Sequence, residues 1–156
     1  MMHGGCSCGA VTYRLTDAPM IVHCCHCSWC QTETGSAFVI NAVIERDRLE
    51  VDGAPEPVMT PSASGKGQEI FRCPICRVAL WSHYGNAGRK AAFVRVGTMT
   101  SPRGCPPDVH IFTATKLPWV TLPEDVPAYE GFYPDPGAVW SAEASARWKA
   151  LLTAPG

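Results

Sequence analysis

The sequence has little charge and no stripe of either sign. Only 17% of its residues are charged, 13 basic against 14 acidic, for a formal net charge of −1. Without a basic patch or a block of like charges, nucleic-acid binding has nothing to rest on. No apolar run approaches the roughly 20 residues that cross a bilayer, so no membrane span is expected. No charged-then-apolar leader stands before Cys6, and the expectation is a soluble cytoplasmic protein. Low-complexity tracts are missing, and so are internal repeats, the cysteine pairs apart. Helical periodicity is scarce too. Only "AVWSAEASARWKALL" sets Trp140, Ala144, Trp148, Leu151 and Leu152 at helical spacing, which predicts a C-terminal helix docked on a sheet.

What remains is a chain of 156 residues, 46% hydrophobic, enough for one domain with a core of its own. Its patterns are those of strands. In "GGCSCGAVTYRLT" a glycine turn leads into alternation, with Val11, Tyr13 and Leu15 on one face. "MIVHCCHC" begins as a strand and runs into a cysteine cluster. "CQTETGSAF" reads as a short helix or turn stopped by Gly35. "FVINAVIE", "RLEVDG" and "KAAFVRVGTM" read as strands, and "IFRCPICRVALWSHY" as two strands around a knuckle. "APEPVMTPSASGKGQE" is rich in proline, glycine and serine and predicts a loop. "HIFTATKLPWVTL" predicts a last extended segment, followed by a proline-rich stretch on the surface. Many short strands with glycine and proline turns predict a mainly antiparallel β domain.

Cysteine is the residue in surplus. The nine are Cys6, Cys8, Cys24, Cys25, Cys27, Cys30, Cys73, Cys76 and Cys105. An odd count in close pairs argues for metal over a disulfide framework. Cysteines one or two residues apart rarely bridge each other but hold one zinc well. The C-x-C pair Cys6/Cys8 and the C-x-x-C pair Cys73/Cys76 make four thiolates. Four saturate a tetrahedral zinc and leave no place for substrate, which makes that site structural. Cys25, Cys27 and Cys30 form a second group, C-x-C-x-x-C. Two readings stand. Cys24, His23 or His26 closes it as another structural zinc, or it keeps an open position. On an extended backbone Cys25 and Cys27 share one face and Cys24 and His26 the other, which makes Cys24 a small buried hydrophobe. Three thiolates weaken zinc as an activator of water and suit a thiol as the fourth ligand. The chemistry expected is that of a thiol held as thiolate.

The segments "GGCSCGAVTY", "CHCSWCQTETGSAF", "FRCPICRVALW" and "HIFTATKLPW" resemble, in order and spacing, the glutathione-dependent formaldehyde-activating enzyme family, which also has centromere-associated members. The resemblance spans about residues 4–135. It implies a small zinc-stabilised fold of packed antiparallel sheets; residues 1–137 are expected to form that domain, and 138–156 a C-terminal helix and tail. It implies two zinc ions per chain, a structural one on Cys6, Cys8, Cys73 and Cys76 and a second on Cys25, Cys27 and Cys30, facing the active site. The implied activity is that of a carbon–sulfur lyase or adduct synthase, in which glutathione adds to formaldehyde to give S-hydroxymethylglutathione. Glutathione is anionic, so its carboxylates call for cations; Arg72, Arg77, Lys66 and Arg103 are the candidates. His23 and His26 are candidate acids or bases, with a packed structural role the more common one for such histidines. The chain departs from the family pattern in having Arg77 where glycine follows the knuckle, and in the extra Cys24. Two rivals from other classes are a non-catalytic zinc-binding scaffold, for which "YEGFYPDPGAVW" would supply an apolar patch, and a thiolate-based metal or redox sensor.

Overall fold

The structure, a computed structural model, describes residues 2–154. Alternation builds a small sheet first. Strand β2 (Thr12–Leu15) buries Tyr13 and Leu15 and turns Thr12 and Arg14 to solvent. It pairs antiparallel with β1 (Met2–Gly5) on one side and β5 (Leu49–Asp52) on the other. The approach of β1 to the chain near Thr98 is close. A Cβ at Gly4 would stand 2.4 Å from the Thr98 carbonyl oxygen, so only glycine fits.

The second sheet has seven strands. Its centre is β3 (Ile21–Cys25), β4 (Val39–Glu45), β9 (Ala91–Arg95) and β8 (Ala79–Tyr84), continued by β7 (Gln68–Arg72) and β6 (Glu56–Thr60) at one edge. At the other edge β10 (Val109–Ile111) runs parallel to β3, with Val109 opposite His23; every other pairing is antiparallel. Apolar side chains fill both faces of β4, as expected of a strand covered on both sides. One face carries Val22, Ala42, Ile44, Trp81 and Val94 against the small sheet. The other carries Ile21, Cys25, Val43 and Val109 against the C-terminal segment.

Helix α1 (Ser28–Thr34) is capped at its start by the Cys27 sulfur and ends on Gly35, whose φ is 63°. Helix α2 (Ala142–Thr153) starts at Ser141, whose hydroxyl accepts from the Ala144 N–H. Trp140 lies just before that helix. It packs with Ala144, Trp148 and Leu151 on the second core, while Leu152 stays exposed. A two-point ion pair holds α2 down: Arg147 Nε and Nη2 donate to Glu45 at 2.8 and 2.6 Å.

Three details depart from the sequence expectation. The stretch expected as a loop contains β6, an edge strand with Pro57 in it; an edge tolerates a missing N–H. Met2–Gly5 is a strand and not only part of a turn. The last extended segment ends at Ile111, because Phe112 turns left-handed at φ 55°. The proline-rich segment then lies beside β10, with Tyr129 N–H donating to the His110 carbonyl and Phe112 N–H to that of Gly131. Among the described residues no helix is long and apolar enough to cross a membrane.

Candidate functional site

The turn after β1 carries Cys6 and Cys8, and the turn between β7 and β8 carries Cys73 and Cys76. The small sheet rests on the large one, so these two turns meet. All four sulfurs lie within 4.8 Å of one another, with Cys6 to Cys8 at 3.5 Å and Cys8 to Cys73 at 3.6 Å. Sulfurs placed about 2.3 Å from one ion in a tetrahedron stand about 3.8 Å apart, whereas a disulfide needs about 2.0 Å. The donor set therefore fits zinc. Backbone N–H groups point in: Val11 to Cys6 at 3.3 Å and Ile75 to Cys73 at 3.4 Å. The knuckle closes at Arg77, whose φ is 64°. Its N–H donates to the Cys73 carbonyl at 3.0 Å. That conformation costs a residue with a Cβ about 1–2 kcal/mol.

Cys25 ends β3, Cys27 caps α1 and Cys30 lies in its first turn. Their sulfurs also lie within 4.8 Å of one another. Among the described residues no fourth histidine, cysteine or carboxylate joins the group. Hydrogen bonds from Cys25 and Cys30 pull the Cys27 thiol far below its ordinary range, and Cys25 is pushed up in return by its bond to Cys27. Without a cation, a thiolate at Cys27 accepts hydrogen bonds from the neighbouring thiols of Cys25 and Cys30. A zinc ion fits where those shared protons sit. The loop is held from behind: Gln31 Nε2 donates to the His26 and Thr115 carbonyls at 2.8 and 2.9 Å, and Thr115 Oγ1 donates to the His26 carbonyl at 3.0 Å.

Arg95 is the charged group nearest in kind to a counter-ion. It is 7% exposed, its Nη1 donates to Asn41 Oδ1, and its Nε has no partner among the described atoms. Burial weakens its hold on the proton, and Cys30 and Glu33 strengthen it. A buried guanidinium with no carboxylate of its own is costly unless negative charge stands near. The thiolates provide that charge.

All three cysteines border a cavity of about 470 Å³ between the large sheet and the C-terminal segment. Trp29, Phe93, Phe112, Phe132, Trp140 and Trp148 form its walls. His23 and Tyr133 give it a polar edge. Trp140 Nε1 donates to the Tyr133 hydroxyl at 2.6 Å, which leaves the phenol proton for His23 Nε2 at 2.9 Å. Burial pulls His23 down to about 4 and pushes Tyr133 up to about 12, so both are neutral at pH 7.

Cys24 and His26 point to the other face, away from the cavity, and meet His110. Sequence reasoning did not single out His110; the parallel pairing of β10 with β3 puts it beside Cys24. His26 Nε2 and His110 Nδ1 are 2.9 Å apart. That is a hydrogen bond, and shorter than the about 3.3 Å that two nitrogens span on a tetrahedral zinc. Burial pushes the Cys24 thiol up to about 12, which makes it inert. Of the four cations named for carboxylate binding, none lines the cavity. Arg72 pairs with Glu33 and Arg77 with Glu56 at 3.0 Å. Arg95, Tyr133 and the tryptophans were not legible as site residues, because chain distance separates them from the cysteine motif.

A curated protein of Halomonas elongata named "Putative glutathione-dependent formaldehyde-activating enzyme" is 29% identical over 161 residues, covering 97% of this chain and 96% of its own. A crystal structure of a Rhodobacter sphaeroides protein is 20% identical, with a TM-score of 0.47 over 82% of this chain and 100% of its own. The family model described as glutathione-dependent formaldehyde-activating enzyme matches residues 1–115, and the chain belongs to that family.

Proposed function

We propose that the protein is a zinc-dependent carbon–sulfur lyase or adduct synthase acting on a small thiol and an aldehyde. In this reading Cys25, Cys27 and Cys30 hold the ion at which the thiol is handled. Cys6, Cys8, Cys73 and Cys76 hold a structural one. One observation supports it above the rest: three sulfurs gather within 4.8 Å at the wall of a cavity, with no fourth protein ligand among the described residues. Bound there, zinc supplies a soft open position that favours the deprotonated form of a substrate thiol.

The chain's own residues do the rest. Cys25, Cys27 and Cys30 place the reacting sulfur at one end of the cavity, and Arg95 balances the charge of the centre from behind. The aromatic walls exclude water and hold the carbon partner against the sulfur. His23 and Tyr133 offer neutral hydrogen-bonding groups toward a carbonyl or hydroxyl oxygen. In the synthetic direction a sulfur–carbon bond forms, the carbonyl π bond opens, and the thiol proton ends on the former carbonyl oxygen. The lyase direction reverses each change. Glutathione and formaldehyde are the pair named by the family and by the Halomonas relative.

The test is metal content and ligation of the purified protein. Two zinc ions per chain are expected, and in the cobalt-substituted form the sulfur-to-cobalt absorption should change when a thiol is added. A second site whose absorption no thiol alters would sink the open-position reading and favour a scaffold.

A further inference from the structure

Resting on the reading above, we propose that the thiol handled at Cys25, Cys27 and Cys30 is uncharged and largely apolar, of the arylalkyl or branched-alkyl class, and not glutathione. The argument is charge. Among the described residues no lysine, arginine, aspartate or glutamate lines the cavity. Glutathione would bring two carboxylates and an ammonium into it. A carboxylate taken from water needs a cation or several donors in its place. Four of the basic side chains are paired with carboxylates: Arg72 with Glu33, Arg77 with Glu56, Arg89 with Glu69, Arg147 with Glu45. Arg95 stands behind Asn41, which takes its Nη1 and itself faces the cavity.

Size does not discriminate, since about 470 Å³ admits either kind of molecule. The walls do. Trp140 and Trp148 meet with ring centroids 5.5 Å apart, and Phe132 lies on Tyr133 at 4.1 Å. These aromatic faces favour an aryl or branched alkyl group, because burying apolar surface there releases water. Asn41, Ser62, Ser64, Gln68 and Ser82, which could bind polar atoms there, carry no charge. A neutral donor and acceptor set suits one hydroxyl, which is what an aldehyde becomes once sulfur has added to it. The balanced step is R–SH plus R′–CHO to R–S–CH(OH)–R′, which forms one S–C bond, moves one proton from sulfur to oxygen and needs no oxidant. Phe112 is held in the cavity wall at a left-handed φ of 55°, a strained conformation for a bulky residue. The chain maintains an aromatic wall at that position at a conformational cost.

The experiment titrates the zinc-loaded protein with phenylmethanethiol and with glutathione, reading the fluorescence of the wall tryptophans, with the cobalt-substituted protein titrated in parallel. Phenylmethanethiol should bind at least tenfold more tightly than glutathione and quench the tryptophans. Equal or tighter binding of glutathione would overturn the apolar assignment and leave the thiol chemistry standing. Failure of both thiols to alter the cobalt absorption would overturn the thiol chemistry itself, and the assignment with it. Phe132→Arg, at the exposed mouth, supplies the missing cation. It should tighten glutathione at least fivefold and weaken phenylmethanethiol, and a variant that leaves both affinities unchanged counts against the charge argument.

Discussion

The two cysteine centres use the same ligand and differ in what surrounds them. The four-cysteine centre joins two turns that are distant in the chain, and it ties the small sheet to the large one. Its ligand set is complete. The three-cysteine centre lies within six residues of one strand end and one helix start, so the chain is already local there. It spans little sequence, borders a cavity and has a buried cation behind it. The difference underlies the two proposed roles. A metal crosslink between remote segments would stabilise the fold, whereas a local group that crosslinks nothing remote would leave its ion available for chemistry.

The largest effect should separate these roles. Cys73 is fully buried at the junction. Cys73→Ser should remove most of the folding free energy, about 5 kcal/mol or more, because a structural zinc contributes folding energy directly. Cys27→Ser should stay folded, lose one zinc per chain and lose any activity. Thermal unfolding and metal content measure both, and equal losses of stability would erase the distinction.

The second core, behind the three-cysteine centre, depends on α2 docking rather than on the four-cysteine crosslink. Arg147→Ala leaves Glu45 buried without its partner, at a cost of about 2–3 kcal/mol for a pair that keeps some contact with water. Burial raises the Glu45 carboxyl, but Arg147, with a backbone N–H and Arg48, outweighs it and holds it below its usual value. That carboxyl thus adds stability above its unfolded pKa, and the contribution is lost as pH falls through the lower folded value. In Arg147→Ala a backbone N–H and the more distant Arg48 still lower the carboxyl against burial, so the depression shrinks. The stability gap between the two proteins should narrow on acidification, as denaturant titrations at several pH values would show.

Two smaller effects each touch one centre. Arg95→Met keeps the volume and removes the counter-charge. Zinc at the three-cysteine centre should bind about tenfold more weakly, roughly 1.4 kcal/mol, with the four-cysteine centre unchanged in a chelator competition. Arg77→Gly relieves the left-handed knuckle, whose φ is 64°. It should stabilise the fold by about 1 kcal/mol, net of a surface ion pair with Glu56 worth little.

Much of this was legible in the chain. The alternation of Val11, Tyr13 and Leu15 gave β2, and Gly35 marked the end of α1. Spacing alone grouped the cysteines as the fold assembles them, and alternation turned Cys24 and His26 away from Cys25 and Cys27. Arg77 was recognisable as a residue in a glycine's place. Strand β6 was hidden by its own composition, since Pro57 and its exposed neighbours look like a loop and only pairing with β7 makes them a strand. The cations were misleading for a related reason. Arg72 and Arg77 adjoin the metal loops in sequence, and the fold spends them on Glu33 and Glu56.

By itself the sequence determined the cysteine groups that could hold a metal, because such a site needs close cysteine pairs and such pairs are local in the chain. It determined the strands wherever one face is polar and the other apolar. Only the tertiary structure decided what stands around the second centre. The buried Arg95, the neutral His23 and Tyr133 and the tryptophans of the C-terminal segment come from strands and loops far apart in the chain. Their meeting is fixed by sheet order, by the parallel pairing of β10 with β3 and by the docking of α2. A wall without charge is a property of that assembly, and no single segment encodes it.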